Sequence, residues 1–105
     1  MYAELLKARN AAFDPVVRGF AIQTVAMQGD PLQGEMLEAI TETLRTDDSS
    51  MNRNLAALGL ALGARAETQA QVIAELEAAY NRETDIECKR IMMTQIVRAG
   101  MAQSA

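Results

Sequence analysis

Asp48 to Gly63, DSSMNRNLAALGLALG, is the stretch whose reading decides the fold. Between Leu55 and Leu62 it holds no polar side chain. That run is too short to cross a bilayer yet apolar on every side, the pattern of a helix with neighbours all round. Its outline recurs, because Asp14 to Gly29 and Asp85 to Gly100 share the same Asp-x14-Gly spacing. Asp48–Gly63 is therefore read as the central rod of a repeating array.

Composition bounds what the array can be. A chain of 105 residues is enough for a single domain, residues 1–105, with one core. Half the residues are apolar, but with two Tyr, two Phe and no Trp the core must come from Ala, Leu, Ile, Val and Met. These residues pack helices well, and two Pro with six Gly give little punctuation for a many-stranded sheet. An all-α fold follows. The net charge of -4 and scattered basic residues exclude a phosphate-neutralising surface, so no nucleic-acid partner is expected. One Cys allows no internal disulfide, and the N-terminal MYAELLKARNAAF lacks the basic and apolar regions of a leader. The expectation is a cytoplasmic protein with no membrane contact.

Working outward from the rod, residues 2–12 form a first helix candidate with Leu5, Leu6, Arg9 and Phe13 on one side. Asp14-Pro15 starts a second helix, since the carboxylate caps free N–H groups and Pro needs none in the first turn. Val17, Phe20, Ala21, Thr24, Val25 and Gln28 recur along it at three-and-four spacing, and it closes at Gly29. Asp30-Pro31 offers the same start to a third helix reaching about Arg45, with Leu32, Met36, Leu37, Ile40 and Leu44 inward and Glu35, Glu38 and Glu42 outward. TDDSS, residues 46–50, opens the rod. A fifth helix over Glu67 to Tyr80 buries Val72, Ile73, Leu76 and Tyr80, although its start lacks a capping residue. The sixth begins at Thr84 or Asp85 and runs to about Ala99.

Counting back from each glycine matches Val17, Met51 and Cys88 as inward positions, then Ala21, Leu55 and Met92, then Val25, Gly59 and Ile96. The starts at Asp14, Asp48 and Asp85 are 34 and 37 residues apart. A helix pair of that length cannot bury its faces alone, whereas stacked pairs share a continuous core. The segment DPVVRGFAIQTVAMQGDP, residues 14–31, resembles HEAT-type repeats, in particular the short bacterial or PBS-lyase-type form. That family favours an Asp-Pro start, Val-Arg in the first turn and Gly-Asp before the second helix. The second copy has Asn52 where the first has Arg18 and lacks Gly-Asp, while the third keeps Lys89 there. Arg18 and Lys89 are expected to make only weak surface ion pairs. The resemblance implies an α-α superhelix of about six antiparallel helices that works by binding, and it brings no catalytic residues.

Chemistry is sparse. Without His the chain lacks the commonest general base and metal ligand, and no GxxxxGK[ST], GxGxxG or GxSxG occurs. Cys88, on an inward position, reads as a buried thiol rather than a nucleophile. No reaction, metal or cofactor is expected. Two surfaces remain as binding candidates. Second helices of a HEAT-like stack line its concave side, so Glu35, Glu38 and Glu42 with Glu75 would meet a basic protein partner. On the last helix, Met93, Val97 and Met101 form a second apolar line needing a cover, as a homodimer contact or a partner edge; in a compact bundle it would instead fold into the core. The chain thus reads as a protein-protein interaction scaffold or adaptor, the alternative being a small inhibitor or immunity-type protein that blocks an enzyme or toxin.

Overall fold

Asp14 and Pro15 begin the first described helix as their chemistry dictates. Asp14 Oδ1 accepts the Val16 N–H at 2.8 Å, and Pro15 occupies the first helical position, where an N–H would have no intrahelical partner. This helix, α1 (Pro15–Gln28), ends at Gly29, whose φ of 67° is the left-handed conformation that glycine adopts freely. The structure, a computed structural model, describes residues 14–101, so the helix expected over 2–12 lies outside the described residues. After α1 come α2 (Gly34–Thr46), α3 (Ser50–Gly63), α4 (Gln69–Arg82) and α5 (Ile86–Gly100). No strand occurs among the described residues, and the fold is all-α.

Two helix starts differ from expectation, each for a physical reason. Asp30-Pro31 does not open α2, which begins only at Gly34. The intervening Leu32 is pinned instead: its N–H donates to the Gly63 carbonyl at 2.9 Å and its side chain is buried against Gly63. A Cβ on Gly63 would stand 2.5 Å from Leu32 Cγ, so this glycine serves close approach rather than a left-handed turn. For α3 the cap is Ser49, not Asp48, with Ser49 Oγ accepting the Asn52 N–H at 3.2 Å. For α5, of the two starts offered by the sequence, Asp85 is the cap, accepting the Cys88 N–H at 2.8 Å. The start of α4 is weakly capped, as expected: Thr68 makes no side-chain cap bond, and its hydroxyl accepts the Arg65 N–H at 3.0 Å.

Helices α1, α3 and α5 lie side by side in a row, and α2 and α4 cover one face of it. The row is parallel: Gly19 near the start of α1 faces Asn52 near the start of α3, and Ala26 near the end of α1 faces Gly59. Two helix layers give a slab of 36 × 32 × 17 Å. Helix α3 touches all four of the others, and Ala56, Ala57, Gly59 and Ala61 let its neighbours approach. Between the layers Ile22, Ile40, Leu44, Leu60, Leu76 and Met92 are fully buried, each stabilising the fold by roughly 1.5–3 kcal/mol.

Because α3 starts at Ser49, counting from N-caps shifts its register by one residue against counting from glycines. Val17 corresponds to Asn52 and Cys88, and Arg18 corresponds to Arg53 and Lys89. Met51 therefore points outward and is 69% exposed, not inward as the glycine count implied, and Val17 and Phe20 are exposed as well. Cys88 is buried as expected.

The corresponding basic residues tie the row to the connections that enter it. Arg18 donates from Nε and Nη2 to the two Asp47 carboxylate oxygens at 3.1 and 3.2 Å. Arg53 likewise donates to Glu83 at 2.9 and 3.0 Å, and its Nη1 reaches the Asp47 carbonyl at 2.8 Å. Both acids also accept the N–H two residues on, from Ser49 and Asp85. Lys89 donates to the Tyr80 carbonyl at 2.8 Å and stands 4.1 Å over the Tyr80 ring. The Arg18 pair is thus a bidentate contact with a nearly buried carboxylate, stronger than the weak surface pair expected. Burial pushes the Asp47 carboxyl up, but hydrogen bonds from Arg18 and Ser49 outweigh it and hold the group below its ordinary value. At Glu83 the Arg53 guanidinium prevails over burial and holds the carboxyl down to about 2.

Candidate functional site

The layering leaves two broad surfaces, one over α2 and α4 and one on the outer side of the α1–α3–α5 row. On the first, Glu35, Glu38 and Glu42 are exposed along α2, as their spacing implies. Glu75 does not join them as a free carboxylate, because Arg45 of α2 reaches across and donates from Nε to Glu75 Oε1 at 3.1 Å. Glu38 lines a groove of about 390 Å3 together with Gly34, Leu37, Thr41, Arg45 and Gln71. The acidic stripe is therefore three residues long and partly neutralised at one end.

The edge residues of the last helix stand where the sequence placed them. Met93 is 43%, Val97 58% and Met101 73% exposed, and no described segment covers them.

The outer side of the row was not anticipated as a site. Counted from the N-caps, the positions two, six, nine and thirteen residues on face outward, since that spacing follows the helical period. On α1 they hold Val16, Phe20, Gln23 and Met27, and on α3 Met51, Leu55, Leu58 and Leu62. Val16, Phe20, Met27 and Met51 are largely exposed, and Ile91 of α5 adjoins them. Two grooves flank α3. One of about 290 Å3 runs between α1 and α3 past Val16, Phe20, Met51 and Leu55. The other, of about 550 Å3, runs between α3 and α5 past Met51, Leu55, Leu58 and Ile91, with Asp85 and Glu87 at one end. The rod is thus open along one side instead of enclosed all round. Its signal was present in α1, where Val16, Phe20 and Met27 form an apolar line at helical spacing beside the Ile22 and Val25 line that is buried.

Cys88 lies beneath the larger groove, 1% exposed, with its Sγ donating to Asn54 Oδ1 at 2.8 Å. Burial, reinforced by the neighbouring Glu83 carboxylate, pushes the thiol up to about 11, so it stays protonated and unreactive. Among the described residues no group of three or more His, Cys, Asp and Glu side chains is placed to hold a metal ion, and no helix is long and apolar enough to cross a membrane. No protein family, curated protein or solved structure matches the chain.

Proposed function

We propose that this chain is a non-catalytic protein-protein interaction module of stacked, HEAT-like helix pairs, and that its partner lays a basic amphipathic helix on the face formed by α1, α3 and α5. The observation that carries this is the apolar outer line, from Val16 and Phe20 through Met51, Leu55 and Leu58 to Ile91. Contiguous exposed apolar surface of this kind marks interaction sites, and Met adapts well to a partner's side chains. A helix fits the grooves because α3 and α5, 14 and 15 residues long, offer walls of roughly 20 Å, close to four helical turns. Basic character on that helix suits Asp85 and Glu87 at the groove's end and the net charge of -4. The parallel row covered by a second layer accords with a superhelical stack. A cytoplasmic place of action accords with the single buried cysteine.

Affinity capture from the native cell, with mass spectrometry and then calorimetry on the recombinant pair, tests the reading. Wild-type protein should retain one basic protein reproducibly, and Leu55→Glu should abolish that capture without loss of helical content. Retention by Leu55→Glu, with loss on reversing Glu38 and Glu42 to Lys, would move the site to α2. The absence of any reproducible protein would overturn the adaptor function itself.

A further inference from the structure

The flank of α5 that faces away from α3 is exposed, and the register of the row says what kind of element belongs on it. The positions five, eight and twelve residues after each N-cap face the next helix. In α1 they are Gly19, Ile22 and Ala26, all buried. In α3 they are Asn54, which accepts the Cys88 thiol, and the buried Ala57 and Ala61. In α5 they are Arg90, Met93 and Val97, all exposed. Along this flank Ile86, Arg90, Met93, Val97 and Gly100 follow one another at spacings of four, three, four and three, the spacing of a coiled-coil seam, with Met93 and Val97 as its apolar centre.

We infer that this flank is the seat of α5 from a second copy of the chain, packed antiparallel to form a homodimer. A two-fold axis midway between Met93 and Val97 sets each Met93 against Val97 of the other copy. It also sets each Arg90 against Gly100 of the other copy, where a residue without a side chain leaves room for the guanidinium beside the negative end of the helix dipole. Arg90 is available for that contact, since among the described residues its ion pair is a 3.6 Å approach to Glu87 with both side chains about three-quarters exposed. A parallel pairing would instead bring Arg90 against itself. A head-to-tail contact would set the apolar seam against the far edge of the row, where the corresponding α1 positions are Val17, Thr24 and Gln28. The seam is one 15-residue helix from each copy, a small contact, so the dimer dissociates on dilution. The flank lies on the side of α5 away from the α3–α5 groove, so dimerisation does not rest on the proposed partner surface.

Sedimentation velocity on the full chain over a dilution series tests this. The wild type should pass from monomer to twice the monomer mass as concentration rises. Met93→Glu with Val97→Glu should stay monomeric at every concentration with unchanged circular dichroism, and Arg90→Glu, which leaves the apolar seam intact, should weaken association about tenfold. Under oxidation a mixture of Met93→Cys and Val97→Cys chains should cross-link to each other in preference to themselves. A wild type monomeric throughout, dimers persisting in the double variant, or cross-links forming chiefly between like positions would overturn the proposal.

Discussion

Replacing Glu83 by Gln separates one ion pair from the rest of the fold. Glu83 is 8% exposed and accepts both Arg53 contacts, at 2.9 and 3.0 Å. A carboxyl held at about 2 in the folded chain, against an ordinary 4.5, corresponds to roughly 3 kcal/mol of stability. Water reaches the Arg53 side chain, which is 22% exposed, and trims the figure to about 2–3 kcal/mol. Because the folded value lies below the unfolded one, this stability is fully present above about 4.5 and disappears as pH falls toward about 2. The amide of Glu83→Gln cannot ionise, so the variant should be weaker near neutrality by about 2–3 kcal/mol and the two proteins should converge in acid. Urea unfolding of both across that range measures the difference, from which Asp47 and the other carboxylates common to both proteins cancel. A gap that stays constant with pH, or no gap near neutrality, would refute the assignment of Glu83 as an ionised, stabilising partner of Arg53.

Two other perturbations test the packing. Gly63→Ala should lower the urea midpoint by the equivalent of about 1–3 kcal/mol, although Ala is the better helix former, because its methyl group meets Leu32, whose backbone is already tied to Gly63; a stabilised variant would contradict that close approach. The Cys88 thiol should react with an aromatic disulfide only as fast as the protein opens, so labelling within the mixing time under native conditions would show the site to be accessible.

Local chemistry was the legible part of this chain. Asp14-Pro15, Gly29 and Asp85 act on their own backbone neighbourhoods, and each performs the capping or turning role its type suggests. Asp30-Pro31 has the same local character yet opens no helix, because Leu32 is claimed by Gly63 from the far end of α3. No nearby residue announces that contact. The same remoteness hid the Arg53–Glu83 and Arg45–Glu75 pairs, each spanning 30 residues, and the second of these withdrew Glu75 from the acidic stripe. Periodicity sets Met93 and Val97 on a line of their own, and they are exposed because α5 has a separate buried stripe through Cys88, Met92 and Ala99. In α3 almost every side is apolar, so periodicity could not tell the side covered by Ile40 and Leu44 from the open side at Met51 and Leu55.

The central place of α3 also bears on how a partner would be met. Since α3 touches every other described helix, it cannot loosen until the molecule as a whole does, whereas α1 is braced mainly through α3 and α5 through α3 and α4. A surface built along the best-braced helix is in its binding shape before any encounter. Association there would forfeit little chain freedom, sparing the ordering cost that weakens interfaces made on loops. The slow-exchanging heart of the molecule and its recognition face would then be two sides of one helix, so substitutions at Ala57 or Leu60, out of a partner's reach, would still be felt in how well that face is held.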